Sequence, residues 1–178
     1  MVYDGVIEGK YVDLRSCTEE DAEFTLSLRK DPKLGKFFPV IDNTVEQQTE
    51  WIRHQRAKEG DYFFVVRNKQ GDRIGTISVY NIADGEGESG RIIIRSANPF
   101  DASEAQLLLA RFGFHTLGLK QMKGFVFAEN KRAIRFNKQF AARLIGPEED
   151  EHGRMVVRTE TTRDEFEAID RKISSLIY

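Results

Sequence analysis

Between Tyr62 and Ile94 the chain reads as a three-strand meander, and no other feature restricts its fold as much. Tyr62 to Arg67 is a β-branched and aromatic run, Asn68 to Asp72 carries turn residues around Gly71, and Arg73 to Tyr80 is a second run, which together make an antiparallel hairpin. A Gly-rich acidic loop, Asp84 to Gly87, precedes a third strand at Arg91 to Ile94.

The segments on either side complete an alternating order. Tyr11 to Arg15 alternates apolar and polar as a half-buried strand does. Thr18, with Asp21 at the capping-box offset, opens a helix to about Arg29 that Asp31-Pro32 stops. Thr44 with Gln47 opens a second helix, with Trp51 and Ile52 on its inner side. After the meander a loop, Ser96 to Asp101, leads into a strong helix from about Ser103 to Leu117, which Gly118 ends. Met122 to Phe127 is the next strand, and Asn130 caps a helix to about Phe140. Arg143 to Ile145 pairs with Met155 to Val157 across an acidic loop. Thr162 and Glu165 cap a last helix, at about 163–176, whose Phe166, Ile169, Ile173 and Leu176 form one apolar stripe; packing on the sheet is favoured over a dimer contact. The order β-α-α-β-β-β-α-β-α-β-β-α contains no repeat or linker, so residues 1–178 are read as a single domain.

Composition narrows the function classes. A net charge of -2, with basic and acidic residues interleaved, gives no field for nucleic acid. Cys17 is the only cysteine, and His54, His115 and His152 are scattered, so neither a disulfide nor a metal site is expected. The start lacks a signal-peptide pattern, and no apolar run approaches the roughly 20 residues that span a bilayer. A cytoplasmic protein without membrane or nucleic-acid partners is the expectation. Hydrolase-elbow, P-loop and dinucleotide motifs are absent.

Several segments carry a family resemblance. Val12-Asp13-Leu14-Arg15 followed by Glu19-Glu20-Asp21, the helix end Arg29-Lys30-Asp31-Pro32, the strands Gly75 to Asn81 and Glu88 to Ile94, and Asn130-Lys-Arg-Ala133-Ile134 resemble the GNAT N-acetyltransferases, in the branch of ribosomal-protein and amino-sugar acetyltransferases. The resemblance covers nearly the whole chain, the last helix being its least typical part. It implies an α/β (α+β) acyl-CoA N-acyltransferase fold, with a central mixed, mostly antiparallel sheet flanked by helices. It also implies acetyl-CoA as co-substrate.

What the resemblance implies for the site follows residue by residue. Glu88 is the candidate general base, set against the alternative that Glu86 and Glu88 are solvated loop carboxylates. Backbone groups of Ile92, Ile93 and Ile94 would hold the pantetheine between splayed strands and serve the oxyanion. Asn130 would hydrogen-bond the pantetheine as well as cap its helix, while Arg132 or Arg135 would reach the CoA phosphates unless both are ordinary surface charges. Phe136 is read as core. Two departures from the pattern stand out. The phosphate loop, Asn98 to Ser103, has no glycine and matches only at Ala102 and Ser103, whose helix start could still offer N–H groups to a pyrophosphate. Asn137 stands where the family places a thiolate-protonating tyrosine, and an Asn cannot act as an acid.

On the acceptor side, Arg29, Phe37 and Phe38, with Tyr80 and Asn81 across from them, offer cations and stacking faces. A nucleotide-linked amino sugar would use both; Phe37 and Phe38 packed into the core is the alternative. The function expected is acetylation of the primary amine of a small molecule, by a monomer or homodimer. The rival readings are a protein N-terminal acetyltransferase and a non-catalytic acyl-CoA-binding or interaction module.

Overall fold

A computed structural model describes residues 1–178. The strands are β1 (Val6–Glu8), β2 (Val12–Ser16), β3 (Tyr62–Asn68), β4 (Arg73–Ala83), β5 (Glu86–Ile94), β6 (Gln121–Phe127), β7 (Arg143–Glu149) and β8 (Met155–Thr162). The helices are α1 (Ala22–Lys30), α2 (Val45–Ala57), α3 (Pro99–Arg111), α4 (Lys131–Asn137) and α5 (Arg163–Ile177). The strands form one sheet in the order β1-β2-β3-β4-β5-β6-β8-β7. Every neighbouring pair is antiparallel except β5 with β6.

The period of two along β3 divides the core. Phe64 and Val66 join the larger cluster beneath α3 and α5, whereas Phe63 and Val65 join Leu28 of α1 and Ile52 of α2 on the other face. The carboxylate of Glu104, on α3, is fully buried and accepts the N–H groups of Lys10, Tyr11 and Val12 at 2.8, 2.6 and 2.8 Å. That contact ties the start of β2 to the helix across the sheet.

The three capping boxes read from the sequence are present at Thr18/Asp21, Thr44/Gln47 and Thr162/Glu165, the first on a 3-10 turn that leads into α1. Other expectations are corrected. A short edge strand, β1, precedes the first anticipated one. The turn before β5 is only Asp84-Gly85, so Glu86 to Gly90 belongs to that strand. Helix α3 starts at Pro99, capped by Asn98, and continues as a π-helical segment, Phe112–Thr116. Helix α4 stops at Asn137 rather than Phe140. Arg143 to Ile145 pair with Arg158 to Glu160, three residues beyond the expected register, because an irregularity between Ile145 and Glu148 admits Glu148 and Glu149 to the strand. On α5, Ile177 is buried and Leu176 is exposed; Trp51 is 37% exposed while Ile52 is fully buried. No helix is long and apolar enough to cross a membrane.

Candidate active site

The one parallel junction of the sheet is also where it opens. Strands β5 and β6 pair only from Glu86↔Gln121 to Glu88↔Lys123. From Ser89 onward the β6-facing edge of β5 has no strand partner, and the gap widens into a groove of about 400 Å³. Its walls include Ser89 to Ile92 of β5, Gly124 to Phe127 of β6, and Asn130, Ala133 and Asn137 around α4. Small residues permit the geometry: a Cβ at Gly124 would lie 3.2 Å from the carbonyl oxygen of Ser89.

Glu88 sits at the point of divergence. Tyr80 donates its hydroxyl to one carboxylate oxygen at 2.7 Å, and the Asn81 side-chain amide donates to the other at 3.1 Å. Asn81 reaches back from a left-handed backbone (φ 50°). Gly90 lets Tyr80 pass, since a Cβ there would come within 2.6 Å of the phenol oxygen. Burial, followed by the charge of Glu88, raises the pKa of Tyr80 well beyond its ordinary value, so this phenol stays a neutral donor. Glu88 is therefore a fixed carboxylate inside a strand, not a solvated loop residue.

A bulge in β5 shapes the next part. The register with β4 shifts between Thr76 and Ser78, Arg91 takes a left-handed conformation (φ 53°), and the Thr76 hydroxyl donates to its carbonyl at 2.9 Å. The Arg91 guanidinium forms two bonds to Asp61, at 2.8 and 3.0 Å, and lies 4.2 Å from the Tyr80 ring centroid and 5.2 Å from that of Trp51. Asp61 is almost fully buried, so the pair is a fixed strut. Arg29, on α1, faces Arg91 without such compensation. Its Nη2 donates to the Pro39 carbonyl at 2.9 Å, its Nε is buried without a partner, and its guanidinium lies 5.1 Å from the Phe38 ring. Burial and the neighbouring Arg91 charge both disfavour its charged state and lower its pKa. Arg29, Phe38 and Arg91 form the wall between the groove and a second cavity of about 230 Å³, which Trp51, Phe63 and Gln48 also line.

Most of the residues anticipated from sequence meet here. Arg29, Phe37, Phe38, Tyr80, Glu88, Ile92 and Asn130 all line the groove, and Asn81 touches Glu88. Phe38 both packs on the α1–α2 cluster and faces the cavities. Ile93 buries its side chain in that cluster, and Ile94 packs on the other core, so only their backbones are available. Asn130 caps α4 by accepting the Ala133 N–H at 3.1 Å, and Asn137 donates to the Ala133 carbonyl at 2.8 Å. Arg132 is exposed and lies outside the groove lining. Ala102 and Ser103 do not form the helix start expected of them, because Asn98 caps the helix four residues before Ala102.

Sequence reasoning missed Arg91, Asp61 and Trp51. A cation directly after Gly90, at the head of an apolar strand, was the available signal for Arg91. Asp61 and Trp51 gave none, because their partners are distant in sequence.

The residues fit the pantetheine arm of a CoA thioester. An extended, amide-bearing chain can pair with the open edge of β5 between Ile92 and Val126, and a carboxylate waits at the closed end. No cluster of His, Cys, Asp and Glu suited to a metal ion is present.

Comparison with known proteins agrees. The family described as acetyltransferase (GNAT) domain matches residues 12–140. Among solved structures, apo FdhC, a nucleotide-linked sugar GNAT, is 24% identical over 99% of both chains with a TM-score of 0.83. A GCN5-related N-acetyltransferase from Brucella melitensis is 21% identical over 99% of this chain and 86% of its own, with a TM-score of 0.80. Spermidine N-acetyltransferase from Vibrio cholerae, in complex with CoA and spermine, is 18% identical over 89% of this chain and 99% of its own, also with a TM-score of 0.80. No curated protein matches the chain. With the family matched across β2 to α4, and with a fold of the kind those structures share, the chain belongs to the GNAT family of acetyl-CoA-dependent N-acetyltransferases.

Proposed function

We propose that this enzyme acetylates the primary amine of a small, negatively charged acceptor, and that nucleotide-linked amino sugars are its substrate class. The observation that carries the reading is Arg29. It is a half-buried guanidinium with no carboxylate partner and an unbonded Nε, in the wall shared by the groove and the aromatic cavity. A diphosphate compensates such a charge through paired hydrogen bonds, and Phe38 and Trp51 offer faces to a base or sugar ring. A polyamine would meet the uncompensated Arg29 as a like charge.

The chain's own groups then have defined tasks. Bound acetyl-CoA supplies the activated acyl group. The free edge of β5 from Ser89 to Ile94 aligns it, and Glu88, held by Tyr80 and Asn81, takes the proton that the attacking amine loses, directly or through water. Asn137 contributes no proton; the thiol leaves as thiolate and takes its proton from water.

The test is acetyl-CoA-dependent thiol release against nucleotide-linked amino sugars, the same sugars freed of nucleotide, spermidine and N-terminal peptides. Turnover of the nucleotide-linked sugars, with a KM at least tenfold lower than for the free sugars and raised again in Arg29→Ala, supports the reading. Preferential turnover of spermidine or of a peptide overturns it. Glu88→Gln should lower kcat by about 100-fold while leaving CoA binding intact.

A further inference from the structure

We infer that this enzyme recognises its acyl donor by the pantetheine arm and leaves the diphosphate end in solvent, so that acyl-pantetheine thioesters lacking the ADP moiety serve as donors nearly as well as the CoA ester. The inference rests on the groove between β5 and β6 as the donor site. It concerns what lies at the mouth of that groove.

Strands β5 and β6 run parallel, so both finish at the open end, and the helices that follow them, α3 and α4, begin there. A helix start attracts a diphosphate when several of its first N–H groups are free and its positive dipole end is bare. At α3 neither condition holds. Pro99, the first helical residue, has no N–H. The N–H of Phe100 donates to the Asn98 side chain at 3.1 Å and that of Asp101 to the Asn98 carbonyl at 3.3 Å, which leaves only Ala102 within the first four.

The positive end is also already neutralised. The carboxylate of Asp101, 4% exposed, folds back over the segment before the helix, where it accepts the Ser96 hydroxyl at 2.6 Å and the Asn98 side-chain amide at 2.8 Å. The chain has placed its own anion where an external one would bind, and a diphosphate brought there meets a like charge.

The neighbouring helix offers no substitute. α4 spans only seven residues, and Asn130 already accepts the N–H of Ala133. What remains are Arg95, Lys131, Arg132 and Arg135, all exposed and none engaged with a carboxylate. Such side chains meet a phosphate in water, where each contact is weak and screened by salt.

The reaction is unchanged for the smaller donor. The amine nitrogen forms a bond to the acyl carbon and the carbon–sulfur bond breaks. The nitrogen's proton leaves through Glu88 to solvent, and the thiolate of pantetheine departs with the electron pair and takes a proton from water.

Calorimetric titration of the intact protein with CoA, pantetheine and 3′-phosphoadenosine 5′-diphosphate, at low salt and at about 0.5 M salt, tests the inference. The dissociation constants of CoA and pantetheine should agree within about tenfold at low salt and converge at high salt, and the adenosine diphosphate fragment should not displace either. CoA binding about 100-fold tighter than pantetheine at high salt, or binding of the fragment alone, overturns the inference and leaves the donor groove standing. Silence of pantetheine and CoA alike overturns the groove itself. Asp101→Asn keeps the shape of the turn; it should tighten CoA several-fold and leave pantetheine unchanged, and a loss of CoA affinity would count against the inference.

Discussion

Glu88, the proposed general base, shows how much a site carboxylate owes to its neighbours. Its two oxygens are each held by a neutral donor from the preceding strand, Tyr80 and, at a left-handed backbone position, Asn81. A hydrogen bond to a charged group contributes about 1.5–3 kcal/mol. Tyr80→Phe should therefore lower kcat by roughly tenfold or more, with little change in the KM for acetyl-CoA, as steady-state kinetics would register. An equal rise in that KM would mean that Tyr80 instead shapes the donor groove. Glu88 and Asn130 were named from the sequence through the family resemblance of their segments, and both line the groove. The Arg91–Asp61 strut was not legible there, since Arg91 acquires its meaning only from Asp61, 30 residues away in the chain.

At the level of elements, local chemistry was read well and long-range register was not. Capping boxes are three-residue patterns and each was found where the sequence marked it. The start of α3 was misjudged because Asn98-Pro99 reads equally as a turn or as a cap followed by proline at the first helical position. Strand β1 is a three-residue edge, too short for a period to register. The offset between β7 and β8 follows from an irregularity that no composition announces. Helix α5 gives the clearest contrast, since a stripe drawn at helical spacing includes Leu176, whereas the structure buries Ile173 and Ile177 and leaves Leu176 63% exposed. Ile173→Ala should cost about 2–4 kcal/mol, and Leu176→Ala no more than about 0.5 kcal/mol, in urea-unfolding midpoints. Equal losses would mean that the helix packs in another rotation.

At the scale of the whole molecule, one buried carboxylate links distant parts and sets a response to acid. Burial alone would raise the pKa of Asp21, but two bonds from Arg15 at 2.7 Å, the Thr18 N–H and Arg73 outweigh it and hold the group at about 2. A folded-state value below the unfolded one, about 3.9, means that the stabilisation is complete above about pH 5 and is lost as pH falls through 4 towards 2. The loss should reach about 2–3 kcal/mol by pH 2, and Asp21→Asn should flatten that part of the stability profile as followed by urea denaturation. The sheet itself has a mechanical asymmetry. Seven residue pairs join β6 to β8, and six join β3 to β4, but only three join β5 to β6. The molecule is thus two hairpin-built leaves bound along a short spine, with the crossover through α3 as the cover that keeps them together. Widening the gap between the leaves bends the sheet about that spine without unzipping a ladder, so the compliance of the fold is concentrated at the groove proposed for the long, thin thioester.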